Sequence, residues 1–304
     1  MVARTMTRFA GHDCLRLGNG SLTLWITQSV GPRIIGLALP GGENLLAELP
    51  GETLECPGRG SFSFYGGHRL WCAPEEPRRT YLPDDAPVSV TDLADGVLVI
   101  QPMGEETGIQ KSLTISLPSS DTRVVIDHKL DNLGREMVEL APWAITQLRS
   151  RGVAILPQAT AFADEHGVVP NRHIALWPYT PINSPHITWG DRYIFVEATM
   201  ESGALKVGFA NPIGWMGYAL RDILFVKHAP FLPSATYFDR GSSSECYCDP
   251  RFLELETLGP RTALSPGESI THREIWMIYP EVTIPTDEAA MQRLVDQLGL
   301  TEGE

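Results

Sequence analysis

Apolar and polar residues alternate along most of the chain. Leu22, Leu24 and Ile26 fall on one side of a period-two repeat, with Thr23, Trp25 and Thr27 on the other. Leu113, Ile115 and Leu117 repeat the pattern, and Val124, Ile126, His128 and Leu130 oppose Val125, Asp127 and Lys129. A half-buried antiparallel strand produces this alternation. Turn-forming segments such as Asp95-Gly96, Asn132-Leu133-Gly134 and Arg221-Asp222 separate the runs. Strands recurring about every 8–12 residues predict an all-β architecture, a large antiparallel sandwich or barrel. One segment has helical spacing instead. Ala290, Met291, Leu294, Val295 and Leu298 share a face, Asp287 and Glu288 suit a helix start, and Gly299 suits its end. A short C-terminal helix over about residues 286–298 is expected to dock on the sheet.

Composition narrows the class. The chain has 304 residues, 43% hydrophobic and 20% charged, so it folds rather than staying disordered. All-β units often run to about 200–250 residues, so a single domain over 1–304 is expected. A net charge of −13 repels phosphate backbones and argues against a nucleic-acid partner. The five cysteines, Cys14, Cys56, Cys72, Cys246 and Cys248, lack metal-site or disulfide-framework spacing. They read as reduced thiols in a cytoplasmic protein. No apolar run is long enough to span a membrane, and Met1–Ala10 does not read as a signal peptide. A monomer or homodimer is expected. The Gly- and Pro-rich stretch Pro40–Pro87 and a second irregular stretch, Leu156–Asp191, hold many aromatics, among them Phe62, Phe64, Trp177, Tyr179 and Trp189. Both are expected to cap the mouth of a cleft.

No nucleotide-binding glycine loop, nucleophile elbow or metalloprotease motif is present, so no cofactor and no metal are expected. The segment Phe64-Tyr65-Gly66-Gly67-His68-Arg69-Leu70-Trp71 combines aromatic rings, planar hydrogen-bonding groups and flexible glycines. That mixture suits a monosaccharide or small sugar derivative, whose C–H faces pack on rings and whose hydroxyls need donors and acceptors. Glu254 and Glu256 alternate with Leu253 and Leu255, so both carboxylates share one sheet face. Pattern alone reads that face as the exposed polar side of an antiparallel sheet, with a site as the alternative. Lys227 and His228 interrupt the apolar strand Ile223–Ala229 and are expected ligand contacts, as is Glu245. His128 is expected in the core, and His12, His166, His173 and His272 in loops or on the surface.

Leu255-Glu256-Thr257, then Leu264-Ser265-Pro266-Gly267-Glu268, then His272-Arg273-Glu274-Ile275-Trp276 resembles the end of galactose mutarotase-like (aldose 1-epimerase-like) proteins. Gly31-Pro32-Arg33-Ile34-Ile35-Gly36-Leu37 with Glu43-Asn44-Leu45-Leu46 resembles their opening hairpin, and Gly66-Gly67 their H-G-G sugar loop. The similarity is nearest to an uncharacterised bacterial branch. It implies one antiparallel β-supersandwich and Glu256 as catalytic base. The family histidine before the paired glycines is replaced by Tyr65. The segment that normally carries the acid histidine corresponds to Ala141–Leu148, which has Trp143 and no histidine. By elimination and reach His68 is the expected acid, with His228 as runner-up. Tyr65, Arg69, Trp71, Trp143, Lys227, His228 and Glu245 are the expected substrate contacts. The expected function is interconversion of sugar anomers. The alternatives are a non-catalytic sugar-binding or sensor protein, or an isomerase or lyase for a modified or phosphorylated sugar.

Overall fold

The structure is a computed structural model that describes residues 2–56, 60–119, 121–285 and 287–300. Strands are numbered in chain order. The larger sheet runs, in spatial order, β1 (Ala3–Phe9), β2 (His12–Gly18), β3 (Thr23–Thr27), β4 (Arg33–Ala38), β7 (His68–Ala73), β12 (Val138–Arg149), β21 (Phe252–Leu258), β20 (Ser244–Cys248), β17 (Leu205–Phe209) and β14 (Ile174–Leu176). β22 (Thr262–Leu264) pairs with the start of β12. The second sheet runs β15 (Ile187–Trp189), β16 (Tyr193–Glu197), β13 (Val153–Pro157), β18 (Trp215–Leu220), β19 (Ile223–His228), β23 (Ser269–Tyr279), β11 (Arg123–Asn132), β10 (Ile109–Ser116), β9 (Gly96–Ile100) and β8 (Ser89–Asp92). β5 (Glu48–Cys56) and β6 (Gly60–Gly66) form a separate hairpin inside the stretch expected to be irregular. Every pairing between these strands is antiparallel, as the alternation demands.

The main core lies between the two sheets. Leu24, Ile34, Leu70, Leu148 and Leu255 from the larger sheet meet Val99, Ile115, Ile126, Phe225 and Trp276 from the second. Burying each such side chain contributes about 1.5–3 kcal/mol, which fixes the register of every strand. The helix Glu288–Leu298 packs Met291 and Val295 against Trp215, Leu224 and Val226 on the outer side of the second sheet. Asp287 caps it by accepting from the Ala290 amide at 2.8 Å, and Gly299 ends it at φ 68°. Thr286, in the segment expected to open the helix, lies outside the described residues.

The outer side of the larger sheet is not bare. Trp71, Trp143, Ile145 and Leu258 form a satellite core there with Phe62 of the β5–β6 hairpin. The paired glycines join this hairpin to β7 with φ of 92° at Gly66 and 75° at Gly67. A Cβ at Gly66 would sit 2.0 Å from the Ala47 oxygen, and one at Gly67 would sit 2.2 Å from the Ile34 oxygen. They serve close approach of backbone to backbone, which positions the first residue of β7.

Candidate functional site

Strand parity decides what each residue on β7, β12 and β21 faces. Arg69, Trp71, Trp143, Gln147, Glu254 and Glu256 point away from the main core, and the register sets them side by side. Arg69 and Glu256 both pair with Ile145, Glu254 with Gln147, and Trp71 with Trp143. β20 adds Glu245 opposite Glu256 and Tyr247 opposite Glu254, and β17 adds Lys206 opposite Tyr247. The outer face of five central strands therefore carries a row of buried carboxyls with two cations.

Lys206 organises one end of that row. Its Nζ lies 2.7 Å from Glu245 Oε2 and 2.8 Å from Glu256 Oε2, and 4.7 Å from the ring centres of both Trp143 and Trp177. Burial alone would lower the ammonium, but the two carboxyls outweigh it and hold Lys206 well above its ordinary value. Trp143 Nε1 donates to Glu256 Oε2 at 2.6 Å, so the same oxygen receives both groups. Burial pushes Glu245 well up, opposed by Lys206 and reinforced by Glu256 and Asp239. At the other end Glu254 Oε1 accepts from Gln147 Nε2 at 2.9 Å and from Arg69 Nη2 at 3.2 Å. Arg69 stacks over Trp71 at 4.1 Å, which fixes its plane. Burial raises Glu254 to about 7 against the pull of Arg69, with the Glu256 charge adding to the rise.

Above this floor is a cleft of about 340 Å³. Arg69, Trp71, Trp143, Lys206 and Glu254 line it from the sheet. Phe64 and Tyr81 close it from the first irregular stretch, and Trp177 and Tyr179 from the second. Both stretches cap the cleft, as their aromatic content suggested. Glu256 and Glu245 lie beneath the lining, 0% exposed, with Lys206 between them and the open space.

The other expected site residues lie elsewhere. His68 precedes Arg69 and so faces the main core, fully buried. Lys227 does the same from β19. His68 Nε2 lies 2.7 Å from His128 Nε2, and His68 Nδ1 lies 2.9 Å from Thr146 Oγ1. Lys227 Nζ donates to Thr146 Oγ1 at 3.0 Å and pairs with Glu274 Oε1 at 2.8 Å. His128 is a core residue as expected. His272 was expected on the surface, but it lies opposite His128 in the register and is 3% exposed, because it shares the inward face of β23 with Glu274 and Trp276. His228 falls on the outer side of the second sheet, in a separate apolar groove with Ile275 and Leu298. Tyr65, at φ 57°, packs on the edge of His12 and under Arg33, outside the cleft lining. The structure thus brings Glu256, Arg69, Trp71, Trp143 and Glu245 together and leaves His68, Lys227, His228 and Tyr65 apart from them.

Lys206 and the cleft role of Glu254 were missed. Lys206 had a legible signal, a charged residue inside the apolar run Leu205–Phe209, the same signal that drew attention to Lys227.

His68, His128 and Glu274 are also close enough to be considered as metal ligands. Their hydrogen bonds close without one. His128 Nδ1 must donate to the His272 carbonyl, so its Nε2 accepts from His68, whose Nδ1 accepts from Thr146. Glu274 is already neutralised by Lys227, and a divalent cation would add uncompensated charge beside that ammonium. The donor set fits a closed hydrogen-bond network rather than a metal centre.

No protein-family model and no curated protein matches the chain. Solved structures do. A galactose mutarotase-like protein from Lactobacillus casei ATCC 334 superposes with a TM-score of 0.57 at 10% identity, over 88% of this chain and 100% of that one. A candidate aldose 1-epimerase from Klebsiella pneumoniae subsp. pneumoniae MGH 78578 gives 0.60 at 9% identity, over 100% and 88%. A TPR-domain containing protein from Parabacteroides distasonis ATCC 8503 gives 0.62 at 14% identity over 91% of this chain, which spans 50% of that protein. No helix among the described residues is long and apolar enough to cross a membrane. The sheet order, the strand pairing and these superpositions together give the chain the galactose mutarotase-like fold.

Proposed function

We propose that the cleft binds a sugar and interconverts its anomers by proton transfer. One observation carries the reading: three buried carboxyls, Glu245, Glu254 and Glu256, surround Lys206 and Arg69 on the floor of an aromatic-walled cleft. Aromatic faces pack on the C–H surfaces of a pyranose, and a floor of charged groups in fixed positions orders its hydroxyls. The volume falls at the small end of ligand pockets, roughly 300–1,000 Å³. The fold likeness to proteins named for mutarotase and epimerase activity supports a sugar as the ligand.

In this reading the Glu256 carboxylate takes the proton of the C1 hydroxyl. The C1–O5 bond breaks as C1=O1 forms, the chain turns about C1–C2, and the ring closes on the other face of C1. Lys206 withdraws from Glu256 onto Glu245 as the hydroxyl arrives. Proton transfer of this kind contributes about 10²–10⁴-fold. Exchange NMR over a panel of aldoses, uronates and sugar phosphates tests it. The expected result is exchange faster than the buffer rate for at least one sugar, and a loss of at least about 100-fold in Glu256→Gln.

A second reading is non-catalytic sugar binding. Its support is that Lys206 covers Glu256 and that, among the described residues, no histidine lines the cleft. A sugar that stabilises the protein by about 2.7 kcal/mol at 100 times its Kd, without any acceleration of its anomer exchange, is the outcome this reading expects.

A further inference from the structure

We infer that Glu254 is the acid of this reaction, the group that protonates the ring oxygen while Glu256 takes the C1 hydroxyl proton. The inference rests on the anomer-exchange reading above and supplies the donor that reading lacks.

Geometry carries it. Glu254 and Glu256 are two apart on β21 and share its outer face. Residues so placed stand about 6.6–6.8 Å apart, room for two hydrogen bonds with C1 and its two oxygens between them. Their exposure differs in the required sense. Glu254 lines the cleft, with its side chain 10% exposed against 1% for Glu256. Glu254 Oε1 is held by Arg69 and Gln147, and among the described residues no hydrogen bond reaches Oε2. Arg69 is itself clamped on Trp71, so the carboxyl is held still with one oxygen toward the cleft.

The surroundings keep a proton there. Glu254 faces Arg69 from β7, Lys206 from β17 and Glu256 on its own strand, with Arg251 and Glu75 at the cleft wall. The nearby phenols of Tyr81, Tyr179 and Tyr247 are pushed up by burial and carry no charge near neutrality. Desolvation and the Glu256 charge outweigh Arg69 and raise Glu254 to about 7, so a large share of it is protonated at neutral pH. Glu256 has the Lys206 ammonium at 2.8 Å and the Trp143 N–H on one oxygen, whereas Glu254 has Arg69 at 3.2 Å and only the neutral Gln147 amide beside it. Two carboxyls on one strand are thereby given opposite roles by their partners.

The protons balance. On opening, the O1–H bond breaks and its proton goes to Glu256. The C1–O5 electron pair moves to O5, which takes the proton of Glu254. On closure Glu254 recovers that proton from O5–H as O5 attacks C1, and Glu256 returns the other to O1. Both carboxyls end as they began.

The test is the pH profile of kcat for anomer exchange, measured with a sugar that the panel identifies. Acid catalysis needs the protonated form, so wild-type kcat falls about tenfold per pH unit above about pH 7. Glu254→Gln keeps the hydrogen bonds to Arg69 and Gln147 but has no proton to give. It is expected to lose that alkaline limb and at least about 100-fold in kcat, with sugar affinity within about threefold of wild type. A Glu254→Gln protein that keeps the limb, with kcat within about threefold of wild type, overturns the assignment. An independent readout is the 13C shift of the Glu254 side-chain carboxyl. Titration near pH 7 supports the assignment, and titration near the ordinary value of about 4.3 overturns it even if the variant folds poorly. A wild-type protein that accelerates exchange of no sugar it binds overturns the anomer-exchange reading, and this inference with it. That failure is read from wild type alone, so the two are told apart.

Discussion

Arg69, Glu254 and Glu256 point to one side of the larger sheet, while His68, Leu255 and Thr257, their neighbours in the chain, point to the other. The two sides hold polar clusters of similar composition. The inner one joins His68, His128, His272, Lys227, Glu274, Thr146 and Thr257 between the sheets, and none of its fully buried polar atoms is left without a partner. The outer one is different. Arg69 Nε and Nη1, Gln147 Oε1 and Glu256 Oε1 are buried and accept or donate nothing within the protein. A buried polar group without a partner costs about 1–3 kcal/mol, so several together beneath a cleft mark a place where a ligand or water can complete their hydrogen bonds. A closed network holds two sheets in register. An open one under a cleft is arranged for a ligand.

The largest expected effect is on the inner cluster. Lys227→Met leaves Glu274 as an unpaired charge in the core and should cost about 3–5 kcal/mol in urea unfolding. Glu254→Gln, which replaces a carboxyl already largely protonated at neutral pH by an amide that still accepts from Arg69 and Gln147, should cost less than about 1 kcal/mol. Equal losses would erase the distinction between the clusters. Next is turnover: a 100-fold loss in Glu256→Gln corresponds to about 2.7 kcal/mol of transition-state stabilisation. Conservative changes in the inner cluster, such as Thr257→Ser, should leave kcat within about threefold.

Acid should then act on the inner cluster through its histidines. Burial lowers His272 to about 3 and also lowers His68 and His128. The folded state keeps them neutral, while the unfolded chain binds protons below about 6.5. Stability is therefore full above that value and falls with decreasing pH. His272 alone accounts for about 1.4 kcal/mol per pH unit down to about pH 3. Unfolding midpoints measured between about pH 8 and about pH 5 check the slope. A flat profile would mean that these histidines are not buried neutral. The smallest effect expected is at the wall. Trp177→Ala removes one of two rings facing Lys206 and should weaken sugar binding by about 1 kcal/mol, roughly fivefold, with little change in unfolding.

The fold was legible because period-two alternation is a local property, repeated strand after strand. Leu24, Ile115 and Ile126 declared their faces without any knowledge of their partners. The C-terminal helix was legible through Asp287, Glu288 and Gly299: Gly299 ends it as expected, while Asp287, expected in the first turn, is instead the cap that precedes it. The β5–β6 hairpin was not, because β5 is rich in exposed polar residues and carries no clean alternation, and β6 alternates only over Ser61–Phe64. The site was legible in part. The sheet parity that placed Glu254 and Glu256 together also separates His68 from Arg69, but sequence does not say which parity faces the core when both faces hold charges. Lys206 and Lys227 show the limit most clearly. Each is a lysine in an apolar strand, one under the cleft and one between the sheets, and only the position of its strand in the sandwich tells them apart.

The most direct test of the claim that the open cluster is the ligand site is a crystal structure with the sugar that stabilises the protein most. The account predicts the sugar in the cleft between Trp71, Trp143 and Trp177, with a ring or anomeric oxygen within hydrogen-bond distance of Glu254 and a hydroxyl on Arg69. A sugar bound instead in the groove beside His228, with the Glu254 carboxyl untouched, would contradict it.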